Sequence, residues 1–418
     1  MKKLSTLLVF LILTVFTFSQ NVYRWYQDGK IVFQLKASEK VIFSDENKEV
    51  QLSQFPEIAQ YKNTYGIDRI IQLHPGIQDN KLVRTYQIEF TGHQNVDVLV
   101  RKLNQLNTFE YVEKKELHET FLTPNDPTFV NQTNNGQWSL FQINAQQAWD
   151  FSTGSSNIVV AVTDNAIQVN HPDLKNKVVN GRDVVDNDND PSPCGGNDGF
   201  HGSHVSGIVG AETNNSTGIA SIGYNVSIMP IKIGNCSTGA LSGGYDGIVL
   251  AADNNADVVN MSWGGGGQST YGQTVCNYAW NAGTILVAAA GNDGTSQQFY
   301  PAAYNNVVSV ASTTTNDAKS SFSQYGTWID ISAPGSSILS CNESTGYQVT
   351  QGTSMASPLV AGLVGLMKSH APSASNQDIV DCLLNSADNV DAQDGSYIGQ
   401  LGSGRIKADK AVVLMIQD

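Results

Sequence analysis

Basic residues are scarce in this chain: 24 Lys and Arg stand against 38 Asp and Glu in 418 residues, a net charge of −14. That deficit leaves no surplus to neutralise phosphates and excludes nucleic-acid binding as the main activity. Charged residues reach only 15% while hydrophobic ones reach 40%, which rules out wholesale disorder. Cysteines number five, and the spacing of Cys194, Cys236, Cys276, Cys341 and Cys382 fits no zinc site. Their odd count leaves at least one thiol free or paired outside the chain. Long apolar runs are missing too, with one exception. Lys2 and Lys3 precede Leu7–Phe18, a run about half of the ~20 residues that a spanning helix needs. Thr17 and Ser19 have the small-residue spacing of a processing site. Residues 1–19 therefore read as a signal peptide cut after Ser19, with an exported, unanchored protein following it.

What is present divides into two textures, which suits two folded units. Residues 20–120 are rich in Lys, Glu, Gln and Leu and poor in Gly. Tyr86–Phe90 alternates, Val96–Val100 with Leu103 and Leu106 has helical spacing, and Phe109–Val112 is extended again. This predicts a small α+β module, strand, helix, strand, with further strand-like runs upstream in Val22–Leu73, such as Ile31–Leu35. Residues 121–418 carry mostly apolar runs at Ile158–Val162, Val226–Ile231, Val258–Met261, Thr284–Ala290 and Val307–Ala311. Runs of that length suit parallel strands buried on both faces. Helical periods lie between them, at Tyr245–Ala252 and Gly272–Trp280. The expected fold is α/β, a central parallel sheet flanked by helices, preceded by the α+β module.

Three motifs carry chemistry. In Thr350–Pro358, Ser354 sits at the mouth of a helix running through Leu359–Met367. A helix N-terminus offers unsatisfied N–H groups to an oxyanion. Gly352 permits a close backbone approach, and Pro358 is expected in the first helical turn. A serine hydroxyl is weak without a base. His201-Gly-Ser-His-Val-Ser-Gly207 supplies one at a second helix opening, with two histidines of which one suffices. Asp164 ends the strand Ile158–Thr163, where α/β sites collect, and can orient that base. Each motif alone has a plainer explanation: a serine cap, solvated loop histidines, a turn-forming acid.

Together, Val160–Asp164, His201–Val205 and Gly352–Pro358, in that order, resemble the subtilisin (subtilase) family of serine peptidases. The likeness runs from about Pro124 to the C-terminus. It is strongest to thermitase-like members, in Pro124–Pro127, Asn214–Ala220, Asn277–Trp280 and Ser320–Ser323. The resemblance implies Ser354 as nucleophile, His201 as general base and then acid, and Asp164 as its orienting carboxylate. It implies Asn292, in Ala288–Asn292, as a side-chain donor to the oxyanion. Asn260–Gly264 would pair with substrate backbone. Ser262, Trp263 and Gly264 would line the specificity pocket from one side and Ala289, Ala290 and Gly291 from the other. Phe299 stands near the pocket floor, where a large ring would favour small or medium apolar residues before the scissile bond. The alternative is that Phe299 only packs under Tyr300-Pro301. Departures from the family pattern are Asn165-Ala166 after the aspartate, Leu359 for a usual His, and Ser221 for a glycine; none removes a catalytic group.

The resemblance also implies structural calcium, with no catalytic metal or organic cofactor. One set comprises Asp126, Asp173, the Asn215 and Thr217 side of Asn214–Ile219, and backbone oxygens of Glu212 and Ile219. A second is the acidic run holding Asp183, Asp186, Asp188 and Asp190, whose alternative is a solvated loop. A Cys194–Cys236 disulfide follows from aqualysin-like relatives. Residues 20–120 would be a propeptide that templates folding and inhibits through Glu113–Leu122 until cut. The expected partners are peptide substrates and this propeptide, for a secreted monomer without nucleic acid or membrane anchor. A catalytically silent binding module and a transpeptidase on the same scaffold stay as competing readings.

Overall fold

The computed structural model describes residues 26–91, 96–116, 122–195, 200–393 and 395–415. The signal-peptide reading therefore lies outside the described residues, as does part of the expected processing stretch. The chain divides into two compact units, Met1–Glu119 and Thr120–Asp418.

The first unit is an antiparallel sheet of β1 (Tyr26–Leu35), β2 (Glu49–Val50), β3 (Ile67–Gln72), β4 (Thr85–Phe90) and β5 (Phe109–Glu116), in the order β2-β3-β4-β1-β5. Two one-turn helices, α1 (Pro56–Ala59) and α2 (Lys62–Tyr65), precede β3. The longer α3 (Val96–Asn104) links β4 to β5. Phe33 of β1 lies opposite Tyr86 of β4 and stacks on it with centroids 5.3 Å apart. Leu99 and Leu103, one turn apart on α3, bury completely in the same core. The predicted strand–helix–strand is β4-α3-β5. Strands β2 and β3 lie in the upstream part where strand-like runs are expected, but carry no clean alternation that would give their bounds.

The second unit opens with α4 (Trp138–Gln142) and α5 (Ala145–Trp149). Its sheet comprises β6 (Val159–Asp164), β7 (Arg182–Asp183), β8 (Ser227–Lys232), β9 (Val258–Met261), β10 (Ile285–Ala289), β11 (Val307–Thr313) and β12 (Ile331–Pro334). The order is β12-β11-β10-β9-β6-β8-β7, with every pair parallel. Its helices are α6 (Phe200–Gly210), α7 (Gly244–Asp253), α8 (Thr270–Asn281), α9 (Thr353–His370), α10 (Asn376–Ser386) and α11 (Ala408–Leu414). A hairpin of β13 (Ile338–Cys341) and β14 (Tyr347–Thr350) leads into α9. Alternate strand residues serve opposite faces. Val160, Val258, Ile285 and Val287 join the core under α6 and α9. Ala161, Val259, Leu286 and Ala288 join the core under α7 and α8. Continuous apolar runs are what two covered faces require.

The strand order reverses at β6. From there the chain runs outward to β7 and β8, then crosses to β9 on the other flank and continues to β12. The C-terminal ends of β6 and β9 thus border the crevice where such sheets bind ligands. No helix among the described residues is long and apolar enough to cross a membrane.

Candidate active site

Asp164 is the last residue of β6 and is buried. Its Oδ1 lies 2.8 Å from His201 Nδ1 and also accepts the Asn165 N–H at 2.8 Å. His201 occupies the first turn of α6, where N–H groups have no partner within the helix. Asn165 Oδ1 accepts one of them, from Gly202 at 3.1 Å, as well as the Ala166 N–H at 2.8 Å. The departure at Asn165 therefore caps, from a neighbouring loop, the helix that carries His201. Burial works against a proton on His201, but the charge and hydrogen bond of Asp164 prevail and raise its affinity for one. Its side chain remains 36% exposed, within reach of a substrate.

His204 has a different environment. It is fully buried, and its Nε2 lies 2.9 Å from Gln348 O and 3.2 Å from Ile338 O, so this nitrogen carries the hydrogen. Burial lowers its pKa to about 4, which leaves the ring neutral. Of the two histidines in the motif, His204 pins α6 to the β13–β14 hairpin and His201 faces the crevice.

Ser354 is the second residue of α9, and its exposure is 9%. Pro358 lies inside the helix, as its sixth residue, rather than in the first turn. A proline four residues on has no N–H to offer the Ser354 carbonyl. Ser262 Oγ fills the gap, donating to Ser354 O at 2.9 Å. Asn260 of β9 secures this serine from behind: its Nδ2 donates to Ser262 Oγ at 3.0 Å and its Oδ1 accepts from Ser357 Oγ at 2.6 Å. The Ser354 hydroxyl itself donates to Ser262 O at 3.2 Å. Among the described residues it forms no hydrogen bond with His201.

Asn292 follows β10 and is held by Thr353. Its Oδ1 accepts from Thr353 N at 2.9 Å and from Thr353 Oγ1 at 3.0 Å, which commits the oxygen and turns Nδ2 the other way. Gly352 has φ 154°, and a Cβ there would stand 3.5 Å from Ser354 N and 3.6 Å from Asn292 Nδ2. Two donors thus border the space that a Cβ at this position would enter. Sequence reasoning gives Thr353 no role within its motif, and takes Asn260 only as part of a segment expected to pair with substrate; nothing in their spacing reveals these cross-element bonds.

The expected pocket residues fall in two groups. Gly264 and Gly265 lie along Tyr300, with mutual Gly265–Tyr300 backbone bonds of 2.9 and 2.8 Å. Ala289 and Ala290 are buried at the end of β10. The half-buried Phe299 ring lies so close to Gly291 that a Cβ there would come within 2.7 Å of it. Trp263 turns toward α7 instead: its ring packs on Gly244 and its Nε1 donates to Thr163 Oγ1 at 2.9 Å.

Among the described residues no group of three or more His, Cys, Asp and Glu side chains is arranged to hold a metal. The first expected calcium set contains only two carboxylates, and these do come together. Asp126 accepts from Asn214 N at 2.8 Å and Asn215 N at 3.3 Å. Asp173 accepts from Asn215 Nδ2 at 2.9 Å, Ile219 N at 3.0 Å and the Tyr347 hydroxyl at 2.9 Å. Burial raises the Asp126 pKa, and nearby Asp173 adds to that. No lysine or arginine among the described residues pairs with either carboxylate. Two buried carboxylates with unbalanced negative charge, beside the half-buried Asn215 and Thr217, fit a hard cation. The second set fits poorly. Asp183 is buried against the Lys232 ammonium at 2.7 Å, and its other oxygen accepts from Val185 N and Asp186 N. Asp186, Asp188 and Asp190 are exposed. The Cys194–Cys236 disulfide is present, with Lys232 Nζ 3.2 and 3.1 Å from its two sulfurs.

Comparison with known proteins agrees with this geometry. Residues 155–404 match the model of the subtilase family. Thermitase from Thermoactinomyces vulgaris is 45% identical over 291 residues, 69% of this chain and 99% of thermitase. An extracellular protease from Xanthomonas campestris pv. campestris is 37% identical over 369 residues, 77% of this chain and 62% of that protein. Among solved structures, a protease from Pseudoalteromonas arctica PAMC 21717 superposes with a TM-score of 0.61 at 34% identity, covering 70% of this chain and 100% of that one. With a seven-stranded parallel sheet and these motifs at its rim, the chain belongs to the subtilase family of serine proteases.

Proposed function

We propose that this chain is a secreted serine endopeptidase that removes its own N-terminal segment, with Ser354, His201, Asp164 and Asn292 carrying the chemistry. The observation that supports it most is the 2.8 Å contact between Asp164 Oδ1 and His201 Nδ1, at the crevice that also receives the start of α9. That contact leaves Nε2 of His201 as the proton acceptor. On substrate binding the Ser354 hydroxyl turns about its Cα–Cβ bond from Ser262 O toward this nitrogen. Oγ then bonds to the peptide carbonyl carbon as its proton passes to His201, and Asp164 stabilises the imidazolium. The oxygen of the tetrahedral intermediate takes up negative charge beside Asn292 Nδ2 and the Ser354 N–H. His201 returns the proton to the leaving nitrogen, the C–N bond breaks, and an acyl-enzyme remains. Water, deprotonated by His201, hydrolyses it.

Ser262 to Gly264 would offer backbone to an extended substrate, and Phe299 beside Gly291 would shorten the pocket. Calcium, as a structural cation, would be held by Asp126, Asp173, Asn215 and Thr217 with carbonyls of Glu212 and Ile219. When bound it offsets the buried negative charge of the two carboxylates. Residues 20–120 would act as propeptide, and residues 1–19 as signal peptide; a relative named as an extracellular protease supports export. Casein hydrolysis by the processed protein tests the reading. Activity abolished by a serine-directed inhibitor and unaffected by a catalytic-metal chelator at short times is the expected result. Full activity in the presence of the serine reagent would sink it.

A further inference from the structure

Gln324 lies in the loop after β11, is completely buried, and spends every polar atom of its side chain on one neighbouring segment. Its Oε1 accepts from Asp293 N at 3.0 Å and from Thr295 N at 3.1 Å. Its Nε2 donates to Thr295 Oγ1 at 3.2 Å and to Gln297 O at 3.3 Å. Its backbone N–H reaches Gly291 O at 3.0 Å. Gln324 thus holds the chain one residue before Asn292 and one residue after it. Two flanking backbone bonds, Gly294 N to Phe322 O at 2.7 Å and Tyr325 N to Thr295 O at 3.2 Å, run between the same segments. Its Cγ also packs behind Gly291, 2.8 Å from where a Cβ would stand, next to the Phe299 ring.

A buried glutamine is expensive unless all its hydrogen bonds are made. Here they are all made to a loop that has no regular structure of its own. Asn292 is exposed, and among the described residues only Thr353 bonds its side chain. We infer that Gln324 is a positioning residue for the oxyanion donor: it fixes the backbone on both sides of Asn292 and so fixes where that amide points. The inference rests on the reading of Asn292 given above. A donor misplaced by an ångström loses much of its value in the transition state while leaving ground-state binding nearly intact.

The test is a double-mutant cycle on the secreted enzyme, with Gln324→Met, which keeps length and apolar packing, and Asn292→Ala. Each variant is measured for kcat, KM and inhibition by a peptide boronate, which mimics the tetrahedral intermediate. Q324M is expected to lower kcat about tenfold and weaken boronate inhibition by a similar factor, with KM changed less than about twofold. In the N292A background the same change should cost less than about twofold in kcat, because there is no donor left to aim. Gln324→Glu retains an oxygen facing Asp293 N and Thr295 N and should recover most of the turnover. If Q324M is not secreted, Gln324→Asn, too short to reach both ends of the loop, replaces it in the cycle. An equal kcat loss in both backgrounds, a rise in KM alone, or no loss at all overturns the inference. N292A with undiminished kcat removes the reading of Asn292 and this inference with it. A costly N292A combined with an additive Q324M leaves that reading standing and removes this inference only.

Discussion

The carbonyl of Ser354 takes its hydrogen bond from Ser262 Oγ at 2.9 Å, because the residue four positions on is Pro358 and has no N–H to give. Ser354, the proposed nucleophile, is thereby fastened to the end of β9 instead of to its own helix. Ser262→Ala should leave a buried acceptor without a partner and cost about 1–3 kcal/mol of stability, with kcat reduced as well. Adding Pro358→Ala restores an N–H and should return part of that stability. Urea unfolding of the three variants, each carrying Ser354→Ala to prevent autolysis, measures this. Equal stability of S262A and its parent would contradict it.

Gly352 has a φ of 154°, which L side chains rarely adopt, and a Cβ there would stand in the space between Ser354 N and Asn292 Nδ2, the two proposed oxyanion donors. Gly352→Ala should therefore lower kcat on the order of 10²–10³, the usual loss for one such donor, and change KM much less. Steady-state kinetics on a chromogenic peptide decide. A variant hampered only in KM would indicate a substrate subsite instead.

The two motif histidines should respond to acid in opposite ways. Asp164 raises the His201 pKa, so kcat/KM should fall with decreasing pH earlier than for an unpartnered imidazole. Asp164→Asn should shift that limb to lower pH and reduce turnover by about 10⁴. His204 has its pKa lowered from 6.5 to about 4 in the folded protein. As pH drops below 6.5 the unfolded chain binds this proton first, so stability is lost between pH 6.5 and 4 and levels off below. The loss is on the order of 2–3 kcal/mol for a fully buried ring. Unfolding curves of His204→Gln should be flatter across that window than those of the parent.

Calcium should stabilise the second unit through Asp126 and Asp173. At a free concentration one hundred times its dissociation constant, the gain is about 2.7 kcal/mol. Excess chelator should lower the thermal midpoint of the parent. Asp173→Asn should abolish that response, whereas Asp188→Asn, on the exposed acidic loop, should keep it. A midpoint unmoved by chelator after long equilibration would exclude the site.

The parallel sheet was legible because its strands are apolar on both faces; Val258–Met261 and Val307–Ala311 can only be buried from two sides. Asp164, His201 and Ser354 were legible through local motifs, each at the end of a strand or the mouth of a helix. Pro358 was misplaced by a turn, because sequence rules put proline near a helix start, and only the tertiary partner Ser262 makes its interior position tolerable. The four acidic residues from Asp183 to Asp190 looked equivalent in sequence. Lys232, far along the chain, neutralises Asp183 and separates it from the rest. Gln324 left no trace, since a polar residue in a loop reads as solvated until the fold closes around it.

The most direct measurement is mass-spectrometric mapping of the adduct formed by a fluorophosphonate on the processed protein. One adduct is expected, on the peptide containing Ser354, with its formation slowed by at least about 10³ in His201→Ala. Labelling at a different serine, or casein hydrolysis that persists in Ser354→Ala, would contradict the assignment of the nucleophile.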